Sequence, residues 1–310
     1  MRTPPRIDAA AMPRPRTTGL TRHLTNDRAD CLLMSPLEAR ERFRELIERP
    51  ALEIPLAEAC LLIAAEGRPE VRPQEALLEL DRLGEAAQEA ALDRQTCSGR
   101  IESLNRFLFE QEGFTGNRAE YDDPRNSFLD LVLERRTGLP ITLSVVYIEL
   151  GRRLDLETSG IGFPGHFLTK VLSDQGEVVI DPFYGCVLDE GQCRKRLEQI
   201  AGPDARFDPR MLQSIDHPGI LRRILNNLKR LHLTQSEWNL ALACCERLIL
   251  LVPEDPIERL ERGLVYRKLE CFGPALSDID FFLRRCPDHP STPGLQVLRD
   301  ELSRRTRHMH

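Results

Sequence analysis

Two residues near the middle of the chain carry groups suited to proton chemistry. His166 lies in Phe163-Pro164-Gly165-His166-Phe167, among apolar neighbours, and Asp181 ends the apolar run Val178-Val179-Ile180 ahead of Pro182-Phe183. Imidazole is the side chain that ordinarily titrates closest to neutral pH, and a carboxylate beside it fixes its orientation. Between the two residues, Ser173-Asp174-Gln175-Gly176 reads as a turn. Strands are predicted over 159–163, 167–171 and 177–180. Pairing of the last two through that turn would make His166 and Asp181 neighbours. Such a pair is either an imidazole oriented by its carboxylate, with the protonated form favoured, or a hydrogen-bonded core histidine beside a strand-end aspartate. The pattern of residues leaves both open.

The element before the strands is a helix. Gly138-Leu139-Pro140 opens a predicted helix over 138–154, since proline suits the first helical turn. Ile141, Val145 and Ile148 form one stripe, and Leu143, Val146, Leu150 and Leu154 form the next. Apolar residues over most of a helix circumference predict burial. A buried helix feeding an antiparallel sheet is an α+β core. Upstream, Gly113 and Gly116 flank a predicted rim that includes Asp122-Asp123-Pro124-Arg125-Asn126. Asp123, Arg125 and Asn126 are candidate ligand-binding residues. The competing reading makes Asp123 or Asn126 a helix cap and Arg125 its local ion-pair partner.

Five blocks in order resemble one known family. They are Glu112-Gly113-Phe114-Thr115-Gly116-Asn117, Tyr121 to Phe128, Gly138 to Ser144, Phe163 to Phe167, and Ile180-Asp181-Pro182-Phe183. Together they are similar to the SirB-one family over about residues 35–305. The resemblance implies a transglutaminase-like domain of cysteine-protease-like α+β fold, followed by tetratricopeptide repeats. It also implies roles: active transglutaminase-like enzymes place a cysteine at the start of the central helix, then a histidine and an aspartate on successive strands. His166 and Asp181 match the last two. The cysteine position falls on Pro140, and no cysteine lies between Cys97 and Cys186. Thr142 or Ser144 would substitute a hydroxyl, which needs a stronger base than a thiol does.

The remaining chain supplies the elements around this centre. Ser35-Pro36-Leu37-Glu38 is a capping box that starts a helix. Further helices are predicted over 56–65, 74–92 and 101–111, and Asp189 caps one reaching 199. Residues 201–209 read as a linker. Beyond it a 34-residue period sets in: Ala241 and Ala275, Leu242 and Leu276, Pro253 and Pro287, Pro256 and Pro290. That is the tetratricopeptide spacing. Lys229 and His232 depart from the consensus in the first repeat. Two repeats and a last helix over 292–303 make a short stack, which predicts that it leans on the preceding domain. The expected organisation is a disordered tail over 1–34, rich in proline and arginine, then a transglutaminase-like domain over 35–205 and a helical module over 206–305.

Composition narrows the function. The chain of 310 residues has a formal net charge of −6, and its cations are mixed with acids throughout. No basic block with interleaved aromatics marks a nucleic-acid surface. No apolar run reaches membrane-spanning length. Nine cysteines without a Cys-x-x-Cys pair point to reduced thiols in a cytoplasm. No metal site or cofactor is expected. Two functions follow. The first is a non-catalytic interaction or regulatory protein, with a degenerate pocket and a helical module that binds a protein or peptide. The second is a hydrolase or acyltransferase using His166 and Asp181 with Thr142, Ser144 or a water.

Overall fold

The computed structural model describes residues 34–307, so the expected tail lies, Met34 apart, outside the described residues. Helix α1 (Pro36–Ile47) begins as its capping box dictates: the Glu38 amide donates to Ser35 Oγ at 3.2 Å, and the Ser35 amide donates to Glu38 Oε2 at 2.8 Å. Helix α2 (Leu56–Gly67) is apolar nearly all round and is buried along most of its length. Helix α3 (Pro73–Ala90) buries one face. Helix α4 (Cys97–Asn105) starts four residues earlier than its apolar spacing predicts, because Thr96 accepts the Gly99 amide and caps it. It widens into a π turn over Arg106–Gln111.

The rim follows. Strand β1 (Thr115–Gly116) pairs in parallel with β2 (Thr137–Gly138), enclosing the short helix α5 (Leu129–Arg135). Helix α6 (Pro140–Arg153) is then buried at every position from Pro140 to Gly151. Its two apolar stripes contact α2, α3 and α5 as well as strands β3 (Thr158–Ile161) and β4 (Leu168–Ser173). Strands β5 (Gly176–Asp181) and β6 (Cys186–Leu188) extend the sheet, and helix α7 (Glu190–Ala201) follows behind an Asp189–Gln192 capping box. The sheet is antiparallel throughout, in the order β6-β5-β4-β3-β7. Its edge strand β7 (Ser214–Ile215) lies beyond residue 205. The sheet therefore runs past the expected domain boundary, because the residues after the linker return to pair with Ile161 and Gly160.

The remainder is helical. The first repeat is α8 (His217–Thr234) with α9 (Trp238–Leu251), and the second is α10 (Pro256–Lys268) with α11 (Phe272–Arg285). Helix α12 (Thr292–Arg307) covers the end. Ala241 and Ala275 are fully buried, as close antiparallel packing requires. The stack does lean on the first domain: Leu221, Ile224, Leu225, Leu228 and Leu248 belong to the same apolar core as α1, α2 and α6. A buried ion pair seals that contact. Arg247 of α9 pairs with Glu66 of α2 and donates to the Leu62 carbonyl at 2.9 Å, while Arg40 of α1 pairs with Glu66 and Glu246. The two departures from the repeat consensus are also paired. Lys229 bonds Glu258 at 2.7 Å, and His232 Nδ1 lies 2.7 Å from Glu237.

Candidate functional site

His166 is set by the turn before β4. Phe163-Pro164-Gly165-His166 closes with the His166 amide donating to the Phe163 carbonyl at 3.1 Å. Proline presets the second residue of the turn, and Gly165 adopts φ +65° at the third, as a type II turn requires. The imidazole is 7 % exposed. Asp181, fully buried, ends β5 and holds it: Nε2 lies 3.0 Å from both Oδ1 and Oδ2. Two further groups fill the carboxylate. The Phe183 amide donates to Oδ1 at 3.2 Å, and Arg196 Nη2 of α7 lies 3.2 Å from Oδ2. Neither of these partners has a signal in the sequence around Asp181, since one is backbone and the other comes from a later helix.

Nε2 is committed to Asp181, whereas Nδ1 has no hydrogen-bond partner among the described residues. His166 lines a cleft of about 360 Å³. The walls are aromatic. Tyr121 meets the Phe183 ring edge-on, Phe183 meets Tyr184 the same way, and His166 packs its ring against both Phe183 and Tyr184. Gly116 of β1 fixes Phe183 from behind, because a Cβ there would fall 2.3 Å from the ring. Arg118 and Arg196 both place their guanidiniums over Tyr184, at 4.5 and 3.8 Å from its centroid. Gln199 and Ile200 of α7 complete the mouth.

The helix side is different. Pro140 opens α6 and offers no nucleophilic atom. Thr142 Oγ1 accepts the Leu139 amide at 3.0 Å and lies 2.8 Å from the Asn126 carbonyl, to which it donates. Ser144 Oγ donates to the Pro140 carbonyl at 2.8 Å. Both residues are buried, neither has His166 as a partner, and neither lines the cleft. None of the residues lining it is serine, threonine or cysteine. Cys186 lies opposite Asp181 across β5 and β6, but burial and the Asp181 charge push its thiol upward, away from an activated thiolate.

The rim candidates are engaged within their own loop. Asn126 is fully buried; its Oδ1 accepts from Asn117 at 3.1 Å and its Nδ2 donates to the Glu120 carbonyl at 2.7 Å. Asp123 caps the turn at Pro124–Ser127 by accepting the Arg125 amide, and it also pairs with the Arg125 guanidinium. Arg125 holds the Asp123 carboxyl below the usual carboxylate range. Asp123 borders a narrower cleft of about 40 Å³ facing Asn227 and Arg230 of α8. The structure thus brings His166 and Asp181 together, and leaves Thr142, Ser144, Asp123, Arg125 and Asn126 outside their cleft. Among the described residues, no group of three or more histidine, cysteine, aspartate or glutamate side chains is placed to hold a metal ion. No described helix is long and apolar enough to cross a membrane.

Known proteins place this arrangement. Residues 74–226 match a family described as the transglutaminase-like superfamily, and residues 228–302 match the tetratricopeptide repeat. The first match extends past β7, in keeping with the sheet boundary. The chain is 34 % identical over 249 residues to a UPF0162 protein of Vibrio cholerae, covering 80 % of this chain and 92 % of that one. It is 40 % identical over 207 residues to a UPF0162 protein of Xylella fastidiosa strain Temecula1, covering 66 % and 73 %. It is 32 % identical over 237 residues to Protein SirB1 of Salmonella typhimurium, covering 76 % and 88 %. No solved structure matches it. With a transglutaminase-like domain followed by tetratricopeptide repeats, and identity sustained over most of its length, the chain belongs to the SirB1/UPF0162 family.

Proposed function

We propose that this protein is a non-catalytic interaction or regulatory protein. The cleft at His166 is a degenerate transglutaminase-like pocket that binds without turnover, and the repeat module docks a protein or peptide. The observation that carries this reading is the start of α6. Where acyl transfer needs a thiol there is Pro140, and the Thr142 and Ser144 hydroxyls are bonded to backbone groups. Tetratricopeptide repeats generally mediate contacts between proteins, which supports the second half of the reading. No cofactor, nucleic acid or membrane enters the proposal. Asp123, Arg125 and Asn126 act in it as braces of the rim.

One observation favours a second reading. His166 lines the cleft while Asp181 fixes the ring through Nε2, and Nδ1 has no hydrogen-bond partner among the described residues. A water held at Nδ1 would then be the nucleophile of a hydrolase. A screen of amide, ester and glutamine–amine transfer substrates separates the two, with wild type and His166→Ala side by side. No turnover is expected from either. Turnover by wild type that vanishes in a folded His166→Ala would overturn the non-catalytic reading. Thr142→Ala and Ser144→Ala would then show whether a hydroxyl or a water attacks.

A further inference from the structure

The charge of the cleft is at odds with that of the chain. The protein is acidic overall, at −6, yet the cleft is lined by Arg118, Arg196 and His166 and by no carboxylate. Asp181 lies behind the imidazole and pairs with Arg196, and no carboxylate faces Arg118. Arg118 is exposed and has no acidic partner among the described residues; its recorded contact is the Tyr184 ring. Arg196 Nε is buried and has no hydrogen-bond partner. A third guanidinium, Arg223, lies behind the turn. It donates to the carbonyls of Phe163 and His166 and likewise meets no carboxylate.

The apolar part of the cleft is as distinctive. Tyr121, Tyr184 and Ile200 are about two-fifths exposed, and all three stand around this opening. Large apolar side chains gathered at one concavity beside Arg118, a guanidinium without an acidic partner among the described residues, and Arg196 describe a binding site with two requirements. Guanidiniums are planar donors suited to oxyanions, and ones already stacked on an aromatic ring lose little freedom when they bind.

We propose that the His166 cleft binds a small oxyanion, a carboxylate or a phosphate, carried on a ring or another flat apolar body. The anion lies between Arg118 and Arg196, and the body packs on Tyr121, Tyr184 and Ile200. The proposal rests on the binding reading given above, and names the ligand class of that same site.

Calorimetric titration of the full chain with N-benzoylglycine, phenyl phosphate and the neutral amide of N-benzoylglycine tests it. At least one of the two anions should bind, and the amide should bind about tenfold more weakly, the value of one charge-assisted hydrogen bond. Which anion binds better identifies the group. Arg118→Ala should lower anion affinity about tenfold and Arg118→Lys less, with both folded, since the side chain is exposed and holds no ion pair. Absence of binding by either anion at millimolar concentration would overturn the proposal. So would an amide equal to the acid, or an Arg118→Ala protein of unchanged affinity. Turnover in the substrate screen would defeat the non-catalytic reading while leaving anion binding intact. Absent anion binding would defeat this inference while leaving that reading intact.

Discussion

On the helix side of the site, the hydroxyls of Thr142 and Ser144 end in backbone groups within one turn of α6 or in the neighbouring loop. On the strand side, His166 is clamped by Asp181 at one ring nitrogen, has no hydrogen-bond partner for the other among the described residues, and lines a cleft. Both sides are buried, and both contain polar atoms that need partners. The helix side satisfies all of its hydroxyl groups internally. The strand side leaves an imidazole nitrogen and a guanidinium nitrogen without protein partners. Unpartnered buried atoms also occur away from the cleft, among them Ser103 Oγ, Thr169 Oγ1 and Arg247 Nε. A buried polar atom left without a partner costs stability unless a ligand or solvent fills it.

The comparison breaks most readily at Asp181. Asp181→Ala removes the partner of His166, of Arg196 and of the Phe183 amide at once. It should destabilise by about 3–5 kcal/mol, as loss of one member of a buried charged network does. Urea unfolding measures it, and a loss below 1 kcal/mol would mean that the carboxylate is dispensable. His166→Ala should cost about 1–3 kcal/mol, less than Asp181→Ala, because Arg196 and the Phe183 amide still hold the carboxylate. If both variants lost the same amount, the imidazole would be the principal partner.

The helix side sharpens the contrast. Thr142→Val should lower stability by about 1 kcal/mol, because the Leu139 amide and the Asn126 carbonyl lose the hydroxyl and keep only their own 3.2 Å bond. It should leave binding at the cleft unchanged in the same calorimetric assay. Ser144→Ala should shift stability by no more than about 0.5 kcal/mol, because its hydroxyl only doubles up on a carbonyl of its own helix. Altered ligand affinity in either variant would merge the two sides. The smallest effect lies at the rim. Arg125 depresses the Asp123 carboxyl, so the folded state binds this proton less readily than the unfolded chain. Its contribution to stability is complete above the ordinary carboxylate range, near pH 4, and is lost as pH falls through the depressed value. Between pH 6 and pH 3, Asp123→Asn should therefore lose slightly less stability than wild type.

Local pattern made much of this molecule legible. Proline and two apolar stripes placed α6 to within two residues, and the Ser173–Gly176 turn set the β4–β5 register that joins His166 to Asp181. The 34-residue period located both repeats. What escaped was non-local. Strand β7 is two residues long, too short to show alternation, and exists because β3 offers it an edge. Arg196 joins the site from a helix whose own sequence only indicates an exposed face. Arg118 stands in a loop, and its meaning depends on Tyr184 sixty-six positions later. Asn126, a candidate for ligand binding by residue type, is enclosed because the loop folds over its amide.

The bond from Arg247 to the Leu62 carbonyl joins positions 185 residues apart. Its consequence falls on biosynthesis. A ribosome adds about 5–20 residues each second, so roughly 10–40 s separate the emergence of α2 from that of its partner on α9. Throughout that interval Glu66 has no Arg247, and the face of α2 that later meets α8 and α9 is uncovered. The nascent chain must carry this surface in a loosely held state until the first repeat closes on it. The N-terminal helices, though made first, are among the last parts of the protein to be finished.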